Sequence, residues 1–213
     1  DRSAHRPEAR LSDCLTLCAT TRLAQTLRGE LPAEGMVWRT RQALTTGQWL
    51  GSLADEALLT GVAELPLALD AFAERLLWEK VIAGSLTEAA PLFDVQGMAA
   101  SAAEAQALCR IWQLKPGGSQ LSDEAKLFVG WQAEFEKRCR SGGWIDTAGL
   151  HRHLIGLIEA GHFALPTTVC FAGFDRYTPL ERNLMAALAA RGVEFENWAK
   201  NAGDRSTCGV RRY

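Results

Sequence analysis

The chain has 213 residues, of which 47% are hydrophobic and 23% are charged, and its formal net charge is −2. This hydrophobic content is enough to bury a core, so the composition excludes a disordered chain. The near-neutral charge excludes a global positive field that would draw the chain onto a phosphate backbone. The apolar runs are short, and residues 1–10 contain no secretory hydrophobic segment. We therefore expect a cytoplasmic protein without a membrane span and with reduced cysteine thiols.

The first part of the chain predicts a strand, a turn and a helix. Residues 14–19 form a short apolar run that is typical of a strand. The threonines that follow can cap a helix, and residues 22–31 carry leucines at a spacing of four before Pro32 ends the pattern. Residues 36–39 predict a second short strand, and the polar residues 40–47 predict a connection that leads away from it.

Between Thr46 and about Gly161 every periodic segment has helical spacing, and no strand pattern is evident. Ser122 and Asp146 are the predicted N-caps of the last two helices in this region. The apolar positions of the predicted helices are, in order, Trp49, Leu50, Leu53 and Leu58; Leu69, Phe72, Leu76 and Leu77; Leu108, Ile111 and Trp112; Leu127, Phe128, Trp131, Phe135 and Cys139; and Leu150, Leu154, Leu157 and Ile158.

The alternation of strand and helix returns after Pro166. Residues 168–174 form a nearly continuous apolar run, which is typical of a strand buried on both faces. Thr178-Pro179-Leu180-Glu181 is a capping box, and the helix that it starts ends at Gly192 before a strand at 193–198. The fold class predicted is α/β: a Rossmann-like parallel sheet built from residues 1–45 and 165–213, with a large all-helical insertion at 46–164.

Several segments, taken in order, resemble the proteobacterial "probable DNA repair protein" family, which is related to the AddB and RecB type of helicase-nuclease. Thr21-Arg22-Leu23-Ala24 resembles its Asn-Arg-Leu-Ala helix start, with threonine in place of asparagine. One region of the family contains Trp, then Thr-Pro, then Trp-Leu, and Arg41 stands at the position of its proline. The other matching segments are Val37-Trp38-Arg39-Thr40, Gln48-Trp49-Leu50, Glu74-Arg75-Leu76-Leu77-Trp78-Glu79, Phe128-Val129-Gly130-Trp131, and Phe171-Ala172-Gly173-Phe174-Asp175 followed by Thr178-Pro179.

The resemblance implies a fold of the helicase motor-domain type, with the helical insertion in the place of that domain's accessory subdomain. It also implies a PD-(D/E)XK exonuclease domain beyond Tyr213 and a separate helicase subunit as partner. Since the chain begins without methionine and ends without an obvious closing element, we expect a piece of a longer protein.

The catalytic residues of an ATPase are missing from the sequence. A P-loop needs a glycine-rich turn followed by Lys and Ser or Thr, and the chain contains no Gly-Lys dipeptide. After the apolar run ending at Phe171 come Ala172 and Gly173, and the nearest acid is Asp175. We therefore predict a degenerate P-loop fold that binds no cofactor and has no catalytic residue of its own.

Two possible metal sites are rejected on sequence grounds, so no metal ligand is predicted. Glu124-Ala125-Lys126 fits half of a nuclease motif with Asp94, but Glu124 falls in the first turn of a helix instead of on a strand. His151 and His153 are two residues apart on a predicted helix and would face different directions.

Local contacts with DNA are assigned to Arg22, Arg28, Asp175 and Arg176, while solvated side chains are the simpler interpretation of all four. The tryptophans in helical stripes, Trp49, Trp78, Trp112 and Trp131, are interpreted as core residues. The predicted function is a non-hydrolysing scaffold that positions DNA for a nuclease elsewhere in the parent protein. The alternative is a protein docking module that assembles with a helicase subunit and does not touch DNA.

Overall fold

A parallel sheet and a set of helices make up the fold. The computed structural model describes residues 14–29, 42–86, 94–117 and 121–197. Within these ranges the elements are β1 (Cys14–Cys18), α1 (Thr21–Gly29), β2 (Gln42–Thr45), α2 (Thr46–Thr60), β3 (Leu67–Ala68), α3 (Ala71–Ser85), α4 (Val95–Trp112), α5 (Asp123–Gly142), β4 (Trp144–Ile145), α6 (Thr147–Ala160), β5 (Thr168–Ala172), α7 (Pro179–Ala190) and β6 (Glu194–Asn197).

Four strands form a fully parallel sheet in the order β2-β1-β5-β6. All five residues of β5 are buried, because helices cover both faces of the sheet. Leu15 and Leu17 of β1 belong to the hydrophobic cluster on one face, whereas Cys18 packs on the other face with Ala24 and Leu27 of α1. The expectation of an α/β fold with a parallel sheet is confirmed.

The helices of the middle of the chain divide between two hydrophobic clusters. Buried residues of α2 and α6 belong to the same cluster as β1, β5 and α7, which we call the sheet cluster. A second cluster, which we call the helical cluster, is built from α3, α4 and α5. At its centre the rings of Trp78 and Phe135 stack with centroids 4.1 Å apart. The division of the chain at residues 46 and 164 stays a prediction, and the clusters place the first and last of the inserted helices against the sheet.

Helix caps that the sequence predicts are confirmed for the last three helices. The Ser122 hydroxyl accepts a hydrogen bond from Ala125 N at 3.3 Å, and Asp146 accepts one from Gly149 N. Thr178 and Glu181 form the expected capping box, with Thr178 N donating to the Glu181 carboxylate at 2.8 Å. These side chains satisfy backbone donors that the first turn of a helix leaves unpaired.

Two predictions about strands are wrong. The polar connection predicted at 40–47 contains β2, whose Ala43 is fully buried beside Thr16 of β1. The region predicted to be purely helical contains the β3-β4 pair, in which Leu67 N donates to Gly143 O at 2.9 Å. Both strands of that pair are two residues long, too short to give a sequence pattern. The strand predicted at 36–39 lies outside the described residues.

Three further predictions concern individual side chains and the membrane. Trp49, Trp78 and Trp131 are buried as expected. The prediction that Trp112 is a core residue is wrong, since it is 37% exposed. Trp112 is the last residue of α4, and its neighbour Ile111 packs on the sheet cluster instead. Cys14 is disulfide-bonded, so the prediction of reduced thiols is wrong at this position. Among the helices of the described ranges, none has the length and apolarity needed to cross a bilayer.

Candidate functional site

The carboxyl edge of the parallel sheet brings three helix N-termini together. β1 leads into α1 through only Ala19 and Thr20, β2 leads directly into α2, and β5 leads into α7 through residues 173–178. Each helix begins behind a threonine: Thr20 accepts from Leu23 N at 3.2 Å, and Thr45 and Thr178 each form a capping box. Helix N-termini carry partial positive charge, so this edge favours an anionic group.

The strand order marks one position along this edge. From β1 the chain goes to β2 on one side, and from β5 it goes to β6 on the other side. The direction of winding therefore reverses between β1 and β5, and ligands of open α/β sheets bind in the crevice that such a reversal creates. We take the segments that leave the carboxyl ends of β1 and β5 as the candidate site and call it the β1-β5 edge.

Close packing fixes the segment that follows β5. Ala19 N donates to Ala172 O at 3.0 Å, which joins the ends of the two strands. Gly173 has φ +76°, and a Cβ added there would lie 2.6 Å from a Leu23 methyl carbon of α1. Glycine is suited to this position because it has no Cβ and adopts a positive φ at little cost. The segment after β5 is thereby held against the first turn of α1.

An aromatic group supports the same segment from the other side of the sheet. The rings of Phe171, Phe174 and Tyr177 pack with centroid distances of 5.1–5.8 Å. Burial raises the pKa of Tyr177, and the neighbouring Glu181 carboxylate acts in the same direction. The tyrosine hydroxyl therefore keeps its proton at neutral pH and remains a hydrogen-bond donor.

The edge gathers three of the four residues to which DNA contact is assigned. Arg22 lies in the first turn of α1, and Asp175 and Arg176 lie in the segment after β5, all three exposed. Arg28 is in the last turn of α1, where its Nε donates to Ala24 O at 3.3 Å. It is six positions beyond Arg22 along the helix, a rise of about 9 Å. Arg28 is thus not part of the β1-β5 edge.

The chemistry of the edge is that of contact with an anion. The two-residue connection between β1 and α1 is too short to surround a triphosphate with backbone N-H groups, as a glycine-rich loop does. Asp175, the first acid after β5, is exposed and two residues beyond the positive-φ Gly173. Within the residues that the structure describes, no three His, Cys, Asp or Glu side chains are grouped to hold a metal ion.

The two histidines of α6 face different surroundings. A Cβ on Gly47, in the first turn of α2, would lie 3.4 Å from the His151 ring, and burial lowers the pKa of His151. His153 instead lines a cavity together with Asp146. The two side chains thus have different neighbours, and the rejection of a metal site at them stays a prediction.

One part of the site was missed by sequence reasoning although the sequence contains a signal for it. The helix α2 starts at the same edge, behind the capping box of Thr45 and Gln48, and Thr45-Thr46-Gly47-Gln48 has the residue types of such a box. The hydroxyl oxygen of Thr46 is buried, and no described residue forms a hydrogen bond with it.

No protein-family model matches the chain, and no curated protein matches it. The fold and the β1-β5 edge therefore provide the basis for a functional proposal.

Proposed function

We propose that this chain is a non-hydrolysing, helicase-like scaffold that contacts DNA at the β1-β5 edge, as part of a larger DNA-repair helicase-nuclease. The observation that carries the proposal is the joint position of Arg22 and Arg176 at the carboxyl edge of two central parallel strands, beside a connection too short to surround a triphosphate. In this role the parallel sheet is a degenerate motor domain of the Rossmann-like, helicase type.

Two exposed arginines and a helix N-terminus favour the phosphate groups of a DNA strand. Arginine binds phosphate through a planar fork of donors, and the first turn of a helix adds its unpaired N-H groups. With only these local charges and a net charge of −2, the affinity is weak and falls as salt concentration rises. Two phosphate contacts on a single strand correspond to a salt slope of about −1.4 in log K against log salt.

A second candidate function is a docking module that assembles with a separate helicase subunit. It is favoured by large apolar side chains that are more than half exposed on the surface. These are Leu58, Leu59, Leu67, Phe72, Leu108, Leu114 and Leu127. The contact of such groups with water is unfavourable, and a partner subunit that covers them would remove it.

The two functions are separated by measuring the binding of a fluorescent oligothymidylate by anisotropy over a series of salt concentrations. We expect weak binding to the unmodified chain, and a loss of about tenfold in the double variant Arg22→Gln and Arg176→Gln. Arg28→Gln is the matched control, because this arginine is on the same helix but about 9 Å from the edge. Unchanged affinity in the double variant would refute the edge as a DNA contact.

Two further results bear on the proposal. Measurable ATP turnover by the purified chain would contradict a non-hydrolysing scaffold. A complete lack of DNA binding, together with co-purification of a helicase subunit, would favour the docking module instead.

A further inference from the structure

A cavity of about 510 Å³ lies where four elements meet, away from the β1-β5 edge. Its size is within the range of small-ligand sites in proteins. Charged and aromatic side chains reach it from each element: Arg110 of α4, Glu136 and Arg140 of α5, Trp144 of β4, and Arg152 and His153 of α6.

The charges of this cavity leave one arginine without a partner. Three arginines and two carboxylates line it, so the formal charge of its lining is +1. The Arg110 Nε donates to the Asp146 carboxylate at 2.7 Å, and Glu136 lies 3.5 Å from Arg110 and 4.0 Å from Arg140. Both carboxylates are therefore occupied. Arg152 is exposed and has no carboxylate partner in the described part of the chain, so it is available to an anion from outside.

Two more lining residues, His153 and Trp144, bear on what the cavity can bind. The Nε2 atom of His153 is buried and has no hydrogen-bond partner among the described residues. A buried polar atom without a partner is unfavourable. The Trp144 side chain remains 37% exposed although it sits in a strand pair, so part of the indole ring is available for stacking.

We propose that this cavity binds a nucleotide, either free or as one residue of a single-stranded nucleic acid. The phosphate is bound by Arg152 with help from Arg140, and the base stacks on Trp144. An arginine beside an aromatic plane is the combination that single-strand binding sites use, because the charge attracts the backbone and every base has a face that can stack. The proposal goes beyond the contact at the β1-β5 edge, since none of these residues belongs to it.

The test is calorimetric titration of the full chain with deoxyadenylate, with a short oligothymidylate and with inorganic phosphate. The variants are Arg152→Ala and Trp144→Ala. Their matched controls are Arg75→Ala, an exposed arginine of α3 outside the cavity, and Trp112→Ala, a tryptophan with the same 37% exposure. Circular dichroism of each variant checks that the fold is retained.

We expect Arg152→Ala and Trp144→Ala each to weaken the binding of deoxyadenylate or the oligothymidylate about tenfold, while the two controls bind as the unmodified chain does. Loss on deoxyadenylate identifies a free nucleotide as the ligand, and loss on the oligothymidylate alone identifies a strand. Unchanged affinity in the cavity variants, or no binding of either probe, overturns the proposal. Inorganic phosphate that binds as tightly as deoxyadenylate also overturns it, because Trp144 would then contribute nothing.

Failure of this proposal is distinguishable from failure of the DNA contact at the edge. The edge is tested with substitutions of Arg22 and Arg176, which lie outside the cavity lining. Oligothymidylate affinity that depends on the edge variants but not on the cavity variants would leave the edge supported and the cavity refuted.

Discussion

Replacement of Asp146 tests how the two hydrophobic clusters are connected. Asp146 is 3% exposed, and its carboxylate both caps α6 and accepts from the Arg110 Nε at 2.7 Å. Arg110 belongs to α4, whose Ala99 and Ala102 are in the helical cluster, whereas α6 packs on the sheet cluster. One carboxylate thus adds a polar link between α4 and α6, beside the packing of Ile111 of α4 on the sheet cluster.

The magnitude follows from two separate losses in Asp146→Ala. Removal of an N-cap costs about 1 kcal/mol. Breaking a fully buried ion pair costs about 3–5 kcal/mol, but the Arg110 side chain is 26% exposed and keeps Glu136 at 3.5 Å, so we expect about 1–2 kcal/mol here. The total is a loss of about 2–3 kcal/mol in the free energy of unfolding. Asp146→Asn keeps an oxygen for the cap and should lose about half as much.

Urea denaturation followed by circular dichroism measures these free energies. The matched control is Asp123→Ala, which removes an ion pair of 2.8 Å at an aspartate whose side chain is 90% exposed, and which should change stability by less than about 1 kcal/mol. A double-mutant cycle with Arg110→Met isolates the pair, and we expect a coupling of about 1 kcal/mol or more. Equal losses in Asp146→Ala and Asp123→Ala, or no coupling in the cycle, would refute the role of Asp146 as the connection.

Three other predictions test the site and the titratable groups. Gly173→Ala should lower the free energy of unfolding by about 2 kcal/mol, because of the positive φ and the contact of the new methyl group with Leu23 of α1. Its control is Gly192→Ala, where φ is +79° and the space is open, so only the backbone cost of about 1 kcal/mol is expected. Equal losses of the two variants in thermal unfolding would contradict the close packing at Gly173. Burial, and then the Asp146 carboxylate, raises the pKa of Glu74, so the folded protein binds that proton more tightly than the unfolded chain and loses stability as pH rises through the shifted pKa. Glu74→Gln should therefore raise the urea midpoint at about pH 7 and leave it unchanged at about pH 3, and a gain of equal size at both pH values would show that the charge is not the cause. Burial raises the pKa of the Cys139 thiol to about 11. Iodoacetamide at about pH 8 should therefore leave this thiol unmodified in the folded protein and alkylate it in urea, as measured by peptide mapping. Rapid alkylation of Cys139 in the folded protein would be inconsistent with its burial.

Features that depend on neighbouring residues in the sequence were predictable. The caps at Ser122, Asp146 and Thr178, and the buried strand β5, were found because a cap involves residues only three positions apart and a strand buried on both faces is a continuous apolar run. The α/β class followed from the order of these elements. The candidate edge was predictable in part, since Arg22 and Asp175 each follow a predicted strand.

Contacts between distant residues could be found only in the folded chain. The pairing of β1 with both β2 and β5 brings the segment after β5 against α1. The residues next to Gly173 in the sequence do not indicate that Leu23 is its neighbour in the fold. Strands of two residues, such as β3 and β4, have no period to detect. The exposure of Trp112 depends on where α4 ends relative to its neighbours.

The sequence by itself determined the helices and the strands β1, β5 and β6, because hydrophobic spacing and capping act over a few residues. Only the tertiary structure decided that α2 and α6 pack on the sheet, that Arg110 meets Asp146 across 36 positions, and that Arg28 is apart from the edge that Arg22 and Arg176 share. Those outcomes depend on how whole elements pack, and packing optimises the burial of many side chains at once, which no single window of sequence contains.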